Sequence, residues 1–179
     1  AALGPSALGL NFFPRSPRVI DAVTAAKIGA ELGHVLELVG VFVNHPTEEI
    51  AALVEACRLT TVQMHGDEPP QSLAEVRQRC PHVKLIRSWT RAARWDRLPA
   101  YLEDCSSLDC LPAAILVDAP APGVYGGTGE TVDWNTLRTV YNRNWPPLIL
   151  AGGLTAENIA EAIRTAQPWG VDVASGVES

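Results

Sequence analysis

The stretch that could do chemistry lies in residues 113–134, read A-A-I-L-V-D-A-P-A-P-G-V-Y-G-G-T-G-E-T-V-D-W. Its first five residues form an apolar run that suits a strand buried on both faces, and the run ends on a carboxylate, Asp118. Gly123, Gly126, Gly127 and Gly129 follow, and glycine lets a backbone bend freely and come close to a ligand. Asp133 then stands at the N-cap position of a helix whose inner face would be Leu137, Val140 and Tyr141. Strand, acid, glycine loop and helix in that order read as an active-site loop of an α/β protein. The plain alternative is a surface turn that happens to hold an Asp. Other apolar runs also end on polar residues or glycine: Asn44, His65, Gly152 and Ser175.

Something must hold these positions together, and the chain supplies one repeated unit. Strands are expected at 7–13, 38–43, 60–64, 83–89, 113–117, 147–151 and 171–174, with helices between them. The helix at 21–32 is alanine-rich and ends before Gly33. Thr47 is placed to cap the next, with Glu48 and Glu49 at its positive end and Ile50, Leu53, Val54 and Cys57 as an inward stripe. Leu73, Val76 and Cys80 mark a third helix, stopped by Pro81. A fourth falls near 98–105. Thr155 is expected to cap a helix with the stripe Ile159, Ala162, Ile163 and Ala166. The strands are continuous apolar runs, as a parallel sheet covered on both faces requires. When strand and helix alternate in a (β/α)₈ barrel, all the strand carboxyl ends meet on one face, where the active site lies. Repetition without a dinucleotide fingerprint favours that barrel over a Rossmann sheet.

Composition narrows the function. A chain of 179 residues favours one domain, here 1–179, and 47% hydrophobic with 19% charged residues is enough for a proper core. The net charge of −6, without a lysine or arginine cluster, argues against nucleic acid and anionic membrane as partners. No apolar run approaches the roughly 20 residues of a membrane helix. Cys57, Cys80, Cys105 and Cys110 lack metal-like spacing. Cys57 and Cys80 fall at apolar helix positions, which reads as buried free thiols in a reducing cytoplasm over disulfides.

Six motifs in order then carry a family resemblance across essentially the whole chain. They are F-F-P-R-S-P-R at 12–18, V-G-V-F-V-N at 39–44, V-Q-M-H-G-D-E at 62–68, the glycine-rich stretch at 118–129, L-A-G-G-L at 150–154 and V-D-V-A-S-G-V-E at 171–178. In these the chain resembles phosphoribosylanthranilate isomerase, a barrel enzyme of tryptophan biosynthesis. The resemblance implies a small phosphosugar substrate, no cofactor and no metal. It also implies an Amadori rearrangement, in which an acid protonates the ribose ring oxygen and a base removes the proton from the sugar C2.

By the same resemblance Asp118 is the general acid. Keeping a proton near neutral pH costs an ordinary aspartic acid about 4 kcal/mol, so partial burial and a nearby anionic substrate are expected around it. Arg18 matches the ligand of the anthranilate carboxylate, which a guanidinium grips with two parallel hydrogen bonds. Arg15 is then the solvated neighbour. The phosphate site is expected at Gly152, Gly153, Ser175 and Gly176, where backbone N–H groups supply a local positive potential despite the net charge. Gly126 and Gly127 fall in the loop that would close over the substrate. Gln63 and His65 belong to a motif of the family and stand as substrate-binding candidates, His65 equally suited to bracing a loop.

The departures are as specific. The family's first strand carries K-I-C-G, with the cysteine as general base, and this sequence has no counterpart. It opens where the family's first helix ends, stops where one more helix would follow, and offers seven strands for a barrel of eight. The expectation is therefore a barrel without its first strand and helix and its last helix, a fragment of a longer working polypeptide. Two alternatives are a different phosphosugar-processing barrel, for which no strand-end lysine is seen, and a non-catalytic phosphosugar-binding barrel. Either a monomer or a homodimer is compatible with the sequence.

Overall fold

The computed structural model describes residues 4–89, 92–118 and 134–178. Strand and helix alternate along it: β1 (Ala7–Asn11), α1 (Ala22–Leu32), β2 (Glu37–Phe42), α2 (Thr47–Cys57), β3 (Thr61–Met64), α3 (Pro70–Arg79), β4 (Lys84–Ser88), α4 (Leu98–Ser107), β5 (Ala114–Asp118), α5 (Trp134–Val140), β6 (Leu148–Ala151), α6 (Ile159–Ala166) and β7 (Gly170–Val171). The sheet order is β1-β2-β3-β4-β5-β6-β7. The β1–β2, β2–β3, β5–β6 and β6–β7 pairs are all parallel. Sequential parallel strands with intervening helices are the topology of the (β/α) barrel class. The chain packs as two compact units, residues 1–86 with 104–112 and residues 87–103 with 113–179.

In the first unit the registers Asn11↔Val41 and Val41↔Gln63 bring the carboxyl ends of β1, β2 and β3 to one edge. β1 closes at Asn11, two residues before the sequence reading, because the Asn11 side chain accepts the Phe13 N–H and turns the chain. α1 starts as expected on Asp21, whose carboxylate accepts the N–H groups of Val23 and Thr24 and the Thr24 hydroxyl. Gly29 lets α1 approach α2: a Cβ there would sit 2.8 Å from the Cys57 carbonyl carbon. α2 differs from expectation at its start. Pro46 is the N-cap residue and Thr47 is the first helical residue. The Thr47 hydroxyl instead donates to Glu75 Oε2 on α3, at 2.9 Å. α2 ends on Arg58 in the left-handed region, with the Leu59 N–H reaching back to Val54 O. Leu38, Phe42, Ile50, Val54, Cys57, Leu73 and Val76 are buried. A Cβ on Gly33 would touch Leu38, and one on Gly40 would meet Leu59. The even positions 38, 40 and 42 of β2 therefore face the helices. Val41 and its partner Gln63 face the other way.

In the second unit Ile115, Val117, Leu148 and Leu150 share a core with Leu98 and Leu102 of α4, Trp134 and Leu137 of α5, and Ala162 and Ala166 of α6. These strand residues thus face the helices, and the alternate ones, Leu116, Asp118, Ile149 and Ala151, face away. The expected inner faces hold at Leu137, Ala162 and Ala166 but not at Val140 and Ile163, which are exposed. Nor does Thr155 cap α6: residues 155–158 make a separate turn, and α6 begins after Asn158. β7 is two residues long, because residues 175–177 coil into a 3-10 turn.

Candidate functional site

The β5–β6 register pairs Asp118 with Ala151, so Asp118 and the glycines that follow Ala151 lie at the same edge of neighbouring strands. Gly152 (φ 99°) and Gly153 (φ 60°) both use backbone conformations that L side chains rarely adopt. Asn158 ties the loop they open: its Oδ1 accepts the Thr155 N–H and its Nδ2 donates to Gly153 O, each at 2.9 Å. Among the described residues no acceptor takes the N–H of Gly152 or Gly153. Two adjacent amides without an acceptor among the described residues are free to take an anion.

Ser175 and Gly176 sit in the 3-10 turn after β7, and Gly176 lies directly against this loop. A Cβ on Gly176 would be 2.9 Å from the Leu154 carbonyl carbon and 3.0 Å from Thr155 Cα. Gly176 therefore packs against the loop that Gly152 and Gly153 open, after the strand paired with Asp118.

Asp118 points to the helix-free face by strand alternation, as expected of a group that meets a ligand. Its expected partial burial is not found: Asp118 is exposed. The loop at 119–133, with Gly123, Gly126, Gly127, Gly129 and Asp133, lies outside the described residues. One residue escaped the sequence reading. Val171 pairs with Leu150, and the Asp172 N–H donates to Leu150 O at 2.9 Å, which puts Asp172 level with Ala151 and hence with Asp118. The signal lies in V-D-V-A-S-G, but an apolar run read to Ala174 passes over Asp172, and only the end of β7 at Val171 puts it at a strand end.

In the first unit the chain after β1 loops out and returns, with the Ile20 N–H donating to Asn11 O and a bridge from Asn11 to Val19. This fold-back keeps Arg18 close to the carboxyl end of β1. Arg18 is exposed, and its N–H donates to Ser16 Oγ at 3.1 Å. Arg15, expected to be simply solvated, lies over the Phe13 ring at 5.0 Å. Gln63 is buried, and its Nε2 is 2.7 Å from His65 Nδ1. The His65 N–H donates to Phe42 O, fixing the residue at the edge shared with β2. His45 has a determined tautomer: Nδ1 accepts the Val43 N–H, so Nε2 carries the proton and donates to Phe12 O.

Cys57, Cys80, Cys105 and Cys110 are free and buried, as expected, and burial pushes the thiols of Cys57, Cys80 and Cys110 up. Cys57 ends α2, Cys80 caps α3, Cys105 lies in α4 and Cys110 just beyond it, so none stands at a strand's carboxyl end. Among the described residues no cluster of His, Cys, Asp or Glu could hold a metal, and no helix is long and apolar enough to cross a membrane.

A family model described as N-(5'phosphoribosyl)anthranilate (PRA) isomerase matches residues 2–179. The chain is 44% identical over 178 residues to N-(5'-phosphoribosyl)anthranilate isomerase of Acidithiobacillus ferrooxidans, covering 99% of this chain and 80% of that one. It is 39% identical to the Geotalea daltonii protein of the same name, covering 98% and 78%. The crystal structure of phosphoribosyl anthranilate isomerase from Thermotoga maritima is similar, with a TM-score of 0.79 and 34% identity over 98% of this chain and 80% of that one. A phosphoribosyl anthranilate isomerase solved with reduced 1-(o-carboxyphenylamino)-1-deoxyribulose 5-phosphate gives 0.76 and 31%, covering 98% and 79%.

Proposed function

Because the chain belongs to the N-(5'-phosphoribosyl)anthranilate isomerase family, we propose how its own residues divide the work of that enzyme. The activity is an isomerisation in tryptophan biosynthesis, the Amadori rearrangement of N-(5-phosphoribosyl)anthranilate to 1-(2-carboxyphenylamino)-1-deoxyribulose 5-phosphate. Asp118 donates the proton that opens the ribose ring at its oxygen. A base then takes the C2 proton, and the enolamine becomes the ketone. Arg18 holds the anthranilate carboxylate through a bidentate pair. The amides around Gly152, Gly153, Ser175 and Gly176 hold the phosphate, and Gly126 and Gly127 belong to the covering loop. Gln63 and His65 line the rim, and Asp172 adds a second carboxylate at the level of Asp118.

The observation that supports this reading is the β5–β6 register, Asp118 opposite Ala151, with the Gly152 and Gly153 amides that follow finding no acceptor among the described residues. A second reading is a phosphosugar-binding barrel without turnover. None of the four thiols stands at a strand end, so the residue that takes the C2 proton is not one of them. Titration with the reduced product analogue, run beside a turnover assay, separates the two. Binding with turnover supports the isomerase assignment of residues, binding alone supports the second reading, and neither refutes both. A Thermotoga maritima relative is described as dimeric. A monomer or homodimer in the cytoplasm completes the proposal for this chain.

A further inference from the structure

Two loops in the first unit are bolted together by one carboxylate. Glu68 is only 4% exposed, yet its oxygens take backbone N–H groups from two different loops. Oε1 accepts the Asn44 N–H at 2.7 Å, from the turn after β2. Both oxygens accept the Gly66 N–H, at 3.1 and 2.9 Å, from the turn after β3. Asn44 returns the contact, its Oδ1 accepting the Asp67 N–H at 2.9 Å. Asn44 does this from the left-handed region, with φ at 53°, which asparagine adopts more readily than most residues with a side chain. Gly66 has no room for anything larger, since a Cβ would sit 2.7 Å from Asn44 Cγ and 2.8 Å from Glu68 Oε1.

The Gly66 amide that Glu68 holds is the next residue after His65, which follows β3 and contacts Gln63 through Nδ1. We propose that Glu68 is a positioning residue for the isomerase reaction: by bridging the Asn44 and Gly66 amides it fixes where His65 stands at the rim. The inference rests on the reading of this edge as the isomerase site. A buried carboxylate spanning two loops is a costly way to obtain stability alone, because an apolar side chain would fill the space without desolvation. What it supplies is directional restraint. Its acceptor oxygens fix two amides at once, and left-handed Asn44 is retained because its own side chain completes the ring.

The test uses Glu68→Ala, Glu68→Gln and Asn44→Gly in the full chain. Glu68→Ala should lower kcat by about 10- to 100-fold, the scale of a misplaced site group, with a smaller change in KM. Amide hydrogen exchange should accelerate at Asn44 and Gly66 and stay unchanged at Val62. Glu68→Gln keeps one acceptor oxygen within reach of both amides but turns an NH2 group toward the Gly66 N–H, so it should restore only part of kcat and serves where Glu68→Ala fails to fold. Asn44→Gly accepts the same φ, keeps both Glu68 bonds and removes only the Asp67 acceptor, so it should keep the melting temperature and lower kcat less than Glu68→Ala. Wild-type kcat in folded Glu68→Ala or Glu68→Gln overturns the proposal. If the parent chain neither turns over nor binds the reduced analogue, the functional reading fails by itself. Unchanged exchange at Asn44 and Gly66 in Glu68→Ala then overturns the latch.

Discussion

Replacing Gly176 by alanine tests the anion cradle most directly. The new Cβ would lie 2.9 Å from the Leu154 carbonyl carbon and 3.0 Å from Thr155 Cα, and it would overlap the Leu154 oxygen. Carbon atoms rest at about 3.5–4.0 Å, so the turn must retreat by roughly 0.5–1 Å. The obstacle is backbone and cannot rotate away. Gly176 does not have the positive φ of Gly152 and Gly153, so the conflict is steric and not conformational. Overpacking of this kind costs about 1–3 kcal/mol, which for a domain of this size lowers the melting temperature by roughly 2–10 °C. The functional effect should exceed the stability effect, because a displacement of about 1 Å at an oriented anion site costs on the order of 10²-fold. Calorimetric titration with the reduced product analogue should show that loss. An analogue without the phosphate should bind parent and variant alike. Equal affinity of Gly176→Ala and parent for the phosphorylated analogue would refute the claim that this turn and the β6–α6 loop jointly hold an anion.

Four further outcomes are expected. Asp118→Asn should lower kcat by about 10²- to 10⁴-fold while leaving the melting temperature almost unchanged, since the exposed side chain supports no core; steady-state kinetics and thermal unfolding check both. Arg18→Lys should raise KM by about tenfold or more with little change in kcat, because an ammonium cannot reproduce a bidentate grip; a kcat effect equal to the KM effect would contradict a binding role. Gly29→Ala should destabilise the fold by about 1–3 kcal/mol in urea unfolding, because its methyl meets the Cys57 carbonyl. The Asp21 carboxyl is lowered in the folded state, chiefly by the Thr24 N–H, so its contribution is present above the ordinary value of 3.8 and lost as pH falls through the lowered one. Asp21→Ala should therefore lower stability above that region, and the difference from the parent should vanish as pH falls below the lowered value, as measured by unfolding across pH.

Much of the architecture is legible because a covered parallel sheet leaves a plain imprint: continuous apolar runs, each ending on a polar residue or glycine. The buried stripes Ile50, Val54, Cys57 and Leu73, Val76, Cys80 follow from helical spacing in the same way. Local signals misled where a partner lay far away in sequence. Thr47 looks like a cap, yet its hydroxyl is taken by Glu75, twenty-eight residues on. Val140 and Ile163 fit an apolar stripe, but among the described residues nothing covers them and both are exposed. Arg58 and Asp109 end their helices in the left-handed region without the glycine that would have announced it.

For the site, the sequence alone determined residue types and their order: a carboxylate before a glycine loop, two arginines after β1, two glycines after β6. Those properties are local, since they depend on which side chains can accept charge and which backbone can bend. The sequence could not determine which groups are level with one another. Strand register decides that, by pairing Asp118 with Ala151, carrying Asp172 to the same line and pressing Gly176 against Leu154. It could not foresee the Glu68 bridge either, because a carboxylate that captures amides from two loops leaves no periodic trace. Hydrogen bonds between strands and contacts between loops join residues distant in the chain, and only the folded backbone brings them within reach.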